Sequence, residues 1–137
     1  CRMICSVQDR ALWESVAARA ATLPQVEFLE TVPYRDIQSH FNAARIFVNT
    51  SSQEGVPNTF IHSGLGGTAI VSLQVDPDGM FGKFPAGCCA QGNFAALIAA
   101  TRRLLDDADA LAQAQAGAAQ FVHEWHDNAR NVRAFLE

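Results

Sequence analysis

Lysine is nearly absent from this sequence: Lys83 is the single one in 137 residues. The ten basic residues are scattered against fourteen acidic ones, leaving a formal net charge of −4. No Lys/Arg cluster exists to neutralise a run of phosphates, which excludes nucleic acid as a partner. The same lack leaves no patch for an anionic membrane surface, which a partner domain would have to carry if the parent protein sits at the membrane periphery. No apolar run approaches the roughly 20 residues needed to cross a bilayer. No charged segment leads into an apolar block at the N-terminus, so no signal peptide is read and a soluble, cytoplasmic domain is expected. The four cysteines, Cys1, Cys5, Cys88 and Cys89, fit no common zinc spacing and are read as buried free thiols on strands. There is no internal repeat.

What is present alternates. Short apolar segments at 2–7, 26–29, 46–49, 68–73 and 87–90 read as strands. Helices are expected at 9–23, with Leu12, Val16, Ala20 and Leu23 on one face, and around Ile37, Phe41 and Ala44. A further helix starts at Pro57-Asn58 and ends by Gly64, Gly66 or Gly67. Residues 75–86 read as loop. Residues 93–106 form an amphipathic helix with Phe94, Leu97, Ile98, Thr101, Leu104 and Leu105 in register. An Ala-rich helix over 107–122, read as a surface helix, and a terminal helix over 128–136 follow. Strand and helix in alternation give an α/β fold, a Rossmann-like parallel sheet with helices on both faces. The length is that of one domain, 1–137, with 123–137 as its terminal helix region.

Ligands of parallel α/β sheets bind beyond the carboxyl ends of the strands. Here the strand ending at Asn49 feeds Thr50-Ser51-Ser52-Gln53-Glu54-Gly55-Val56-Pro57-Asn58-Thr59-Phe60. Gly55 lets backbone approach a ligand, and the helix start near Pro57 turns unpaired N–H groups and a positive dipole end outward, toward a diphosphate. Glu54 is an acceptor placed beside that site for sugar hydroxyls. The plain alternative is an ordinary βα turn with a solvated Glu54.

These residues, with Ile70-Val71-Ser72-Leu73 and Val75-Asp76-Pro77-Asp78-Gly79, resemble the C-terminal domain of the large GT-B family that includes sucrose synthases and bacterial mannosyl- and capsule glycosyltransferases. Val26-Glu27-Phe28-Leu29, Val32-Pro33-Tyr34 and Phe41-Asn42-Ala43-Ala44 match its spacing, so the resemblance covers essentially the whole chain. It implies a retaining transfer of a hexose from a nucleoside-diphosphate sugar to a glycan or lipid acceptor. No cofactor or metal is required beyond that donor. The first Glu of the family's Glu-x7-Glu signature falls on Glu54, the catalytic carboxylate beside the donor sugar. Gly55, Val56, Pro57, Asn58 and Thr59 would meet the sugar and diphosphate. The second Glu, which binds ribose, is replaced by His62, with one acceptor nitrogen in place of two oxygens. Glu30, Thr31 and Val32 would lie by the base, Glu30 standing where the family usually has Gly.

The resemblance also implies that the chain starts at the domain's second strand, lacking the first βα unit with its phosphate-binding Arg and Lys, and lacking the N-terminal acceptor domain. The 137 residues alone are therefore expected not to catalyse transfer. In the order 3-2-1-4-5-6 the missing strand is central. Either the strand near Met3 closes on the strand near Phe47, or two chains form a homodimer across the exposed edge. Two other functions stay open: a degenerate Rossmann-like nucleotide- or anion-binding module without catalysis, and a fragment of a GT-B-fold sugar-nucleotide epimerase. Asp76-Pro77-Asp78 is read as a turn, and His123-Glu124-Trp125-His126 as a helix-end cluster.

Overall fold

A computed structural model describes residues 1–136, and Glu137, the last residue of the expected terminal region, lies outside the described residues. The chain divides into two compact units, Cys1–Ile37 and Gln38–Glu137. In the first, β1 (Arg2–Ile4) and β2 (Glu27–Leu29) pair in parallel through α1 (Arg10–Ala21). Asp9 caps α1, its carboxylate accepting the Leu12 N–H at 3.0 Å. The inward side of α1 differs from the expected one. Leu12 is exposed, and Trp13 takes its place, 5.3 Å from Phe28 with its indole N–H donating to the Cys5 carbonyl. The large ring covers a two-stranded sheet better than leucine and keeps its polar edge satisfied. Helix α2 (Tyr34–Asn42) spans the boundary between the units.

The second unit holds a parallel sheet of β3 (Ile46–Asn49), β4 (Ala69–Ser72) and β5 (Gly87–Cys89), in the order β3-β4-β5. Every residue of β4 is buried, as its continuous apolar run required. Its side chains alternate between two cores. Ile70 faces Phe60, Met80, Phe84 and Phe121, while Ala69 and Val71 face Leu97, Leu104 and Leu111. Helices α3 (Asn58–Leu65), α5 (Phe94–Asp106) and α6 (Ala108–Trp125) supply these layers, and α7 (Asn128–Leu136) follows with no buried residue. β1 pairs with β2 and β3 with β4, each with the neighbour its own βα connection delivers.

Four other expectations are corrected. The Ala-rich helix α6 is no surface helix, since Leu111, Ala114, Gly117, Ala118, Phe121 and Val122 are buried. Its N-terminal half packs in one core and its C-terminal half in the other. Small residues mark the crossing, where a Cβ on Gly117 would sit 2.5 Å from the Pro85 carbonyl carbon. The inward face of α5 is narrower than its apolar pattern, because Phe94, Ile98 and Leu105 are exposed while Leu97 and Leu104 are buried. The expected loop 75–86 holds a 3₁₀ turn (Pro77–Gly79) and a short helix α4 (Met80–Lys83), which bury Met80 and Phe84. The cysteines are free thiols, but Cys1 and Cys5 are exposed and flank β1, while Cys88 and Cys89 on β5 are only half-buried. Burial pushes the Cys88 thiol up, with Cys89 adding to the effect.

An aromatic cluster ties α4 to α6. Phe84 lies 5.8 Å from Phe121 and 5.2 Å from Trp125, and the Lys83 ammonium sits 4.7 Å from the Trp125 ring centre. His126 closes α6, its ring 4.9 Å from Phe121 and its Nε2 buried without a partner among the described residues. Burial holds its pKa below the ordinary 6.5. The unfolded chain therefore binds the extra proton first, and stability present above about pH 6.5 declines as pH falls toward the lower folded value. The melting temperature is expected to drop between about pH 7 and pH 5, and less so in His126→Phe. Parallel curves for the two proteins, measured by circular dichroism against pH, would contradict this.

Candidate functional site

The carboxyl ends of β3 and β4 open onto a pocket of about 490 Å³. The loop after β3 contributes Ser52, Gln53, Glu54 and Gly55, and the loop after β4 contributes Gln74, Val75, Asp76 and Pro77. This is where a parallel sheet exposes the loops that its strands aim outward.

Asn49 organises the first loop. It is 5 % exposed, and its carbonyl accepts the Leu73 N–H at 2.8 Å. Its side-chain oxygen accepts the Ser51 N–H at 2.6 Å, which leaves the amide nitrogen to donate to Glu54 Oε1 at 3.2 Å. One buried amide thus folds the turn and aims the carboxylate. Gly55 lines the same pocket and a Cβ there would meet nothing within 4 Å, so packing within the chain does not demand glycine.

Pro57 is buried and stands at the N-cap of α3, with no side chain capping the first turn. Phe60 N–H donates to the Pro57 carbonyl at 2.9 Å. Among the described residues the N–H groups of Gly55, Val56, Asn58 and Thr59 find no acceptor within the chain. Pro57 itself has no N–H, so the expected run of donors is interrupted there. The inward face of α3 fixes this end: Phe60, Ser63 and Gly64 are buried, and the Ser63 hydroxyl donates to the Thr59 carbonyl at 2.7 Å.

His62 is half-buried on the side of α3 that meets the second half of α2. Its Nδ1 lies 2.7 Å from Gln38 Oε1, and its ring stacks on Phe41 at 5.6 Å. Gln38 Nε2 donates to Asn42 Oδ1 and to the His62 carbonyl, which identifies Oε1 as the acceptor and Nδ1 as the protonated nitrogen. His62 is not among the residues lining the pocket. Glu30, Thr31 and Val32 belong to the first unit, between β2 and α2, where Glu30 and Thr31 are exposed and Val32 half-buried.

Sequence reasoning missed Asn49 as a positioning residue, and missed Gln74 and Asp76 as wall residues. A signal was available for each: Asn49 is the polar end of an apolar strand, and Gln74 and Asp76 are the first polar residues after the most buried strand. Asp76-Pro77-Asp78 forms the expected turn. Asp76 Oδ1 accepts the Phe81 N–H at 3.2 Å, and Lys83 donates to the Asp78 carbonyl at 2.8 Å.

Compared with known families, residues 4–107 match the sequence model described as Glycosyl transferases group 1. No curated protein matches the chain. No helix among the described residues is long and apolar enough to cross a membrane.

Proposed function

We propose, from the premise that this chain belongs to the group 1 glycosyltransferases, that the pocket between the β3 and β4 loops holds the sugar of a nucleoside-diphosphate donor. The observation that carries this reading is the Asn49–Glu54 contact at 3.2 Å, which fixes a carboxylate at the pocket beside a run of uncommitted N–H groups. Glu54 is the residue assigned to the sugar hydroxyls. The N–H groups of Gly55, Val56, Asn58 and Thr59, reinforced by the start of α3, are assigned to the sugar and diphosphate. Preorganised donors at a leaving diphosphate are the usual large electrostatic contribution to such transfers. The reading is a retaining hexosyl transfer that uses the donor alone, without metal. In this reading the 137 residues hold the donor without turning it over.

His62 departs from a ribose anchor in this reading, because its Nδ1 is committed to Gln38. That observation favours a second reading, a module that binds a nucleotide or anion weakly and catalyses nothing. Calorimetric titration of the chain with UDP- and GDP-hexoses separates the two. Binding lost at least about tenfold in Glu54→Ala, the scale of one charge-assisted contact, supports the donor site. Affinity unaffected by that substitution, or no binding at millimolar donor, refutes it. A radiolabelled-sugar transfer assay should meanwhile show no turnover by the chain alone.

A further inference from the structure

The pocket is chemically one-sided. Ser52, Gln53 and Glu54 on one loop, with Gln74 and Asp76 on the other, supply two carboxylates, two amides and a hydroxyl, and no Lys, Arg or His among the described residues lines it. Each carboxylate is held through one oxygen, Glu54 Oε1 by the Asn49 amide and Asp76 Oδ1 by the Phe81 N–H, both at 3.2 Å. The second oxygen of each has no partner among the described residues. The loop bearing Asp76 is also fixed. Phe81 packs 6.1 Å from Phe60, and Lys83 bridges the Asp78 carbonyl to the Trp125 ring.

Two pinned carboxylates with free oxygens form an acceptor wall for hydroxyl groups, which donate. A carboxylate on the ligand would face two like charges there with no lining cation to meet it. We infer that this pocket selects an uncharged hexose over the corresponding uronate, and that Asp76 acts beside Glu54 as a specificity-determining residue. This rests on the donor-site reading above.

The test is chemical-shift titration of the full chain with two matched pairs, UDP-glucose against UDP-glucuronate and GDP-mannose against GDP-mannuronate. Within the pair that binds, the hexose is expected to bind at least about tenfold more tightly, with shifts at the Glu54, Gly55, Gln74 and Asp76 amides. Asp76→Asn, whose side-chain oxygen can still accept the Phe81 N–H, is expected to narrow that gap severalfold. Asp78→Asn removes the same charge from a residue outside the lining and is expected to leave the gap unchanged. Equal affinity for hexose and uronate overturns the inference and leaves the donor site standing. A gap of full size in Asp76→Asn, or an equal narrowing in Asp78→Asn, overturns the assignment to Asp76. No binding by any of the four removes the donor reading and this inference with it.

Discussion

Placing valine at Gly55 is expected to leave the chain folded and to remove donor binding. A Cβ at this position meets nothing within 4 Å, the backbone is not in the left-handed region, and the residue is exposed. Surface changes of this kind usually alter stability by no more than about 0.5 kcal/mol. The same position lines the pocket, next to Glu54 and ahead of the uncommitted N–H groups. A branched side chain there would occupy the space through which, on the proposed donor reading, a sugar or diphosphate approaches the backbone. Affinity for a nucleoside-diphosphate hexose should fall at least about tenfold, or 1.4 kcal/mol, with the thermal transition nearly unmoved. A lowered melting temperature would assign Gly55 to the fold, and unaltered binding would remove it from the site.

Alanine at Gly64 should do the reverse, with a large effect on stability and none aimed at the pocket. A Cβ built there collides with the Val122 side chain and with the Ala118 carbonyl on α6. The side chain can rotate, but the carbonyl belongs to the helix ladder, so α3 and α6 must separate. Overpacking of this kind costs about 1–3 kcal/mol, a sizeable share of the roughly 5–15 kcal/mol that holds a domain together. Gly82→Ala is the control: it meets nothing within 4 Å and lies in the short helix α4, so it should be near neutral. Chemical denaturation of the two variants and the parent gives the comparison. A Gly64→Ala cost no larger than that of Gly82→Ala would show that α3 and α6 are not in close contact.

The pair of substitutions also separates what could be read from sequence from what could not. β4 was legible because a strand covered on both faces is an unbroken apolar run, and 68–73 is one. The start of α3 was legible from Pro57, which suits the first turn of a helix and no strand interior. α6 was misread because alanine and glutamine look alike on an exposed helix and on one buried by close approach. The deciding quantity is the distance to a neighbour, seen at Gly64 and Gly117 and invisible in composition. Within the site, Glu54 and Gly55 were legible from the loop following an apolar strand. Asn49, Gln74 and Asp76 were not, because their roles depend on β3 and β4 lying side by side, with Asn49 paired to Ser72. The family resemblance put His62 at a ribose position, and only the fold shows its Nδ1 turned to Gln38.

The most direct measurement is a crystal structure of this chain grown with whichever nucleoside-diphosphate hexose binds most tightly. The account predicts the sugar between Glu54 and the Gln74–Asp76 wall, with the diphosphate at the N–H groups of Asn58 and Thr59. A donor seated elsewhere on the chain, or a sugar out of reach of Glu54, would contradict it.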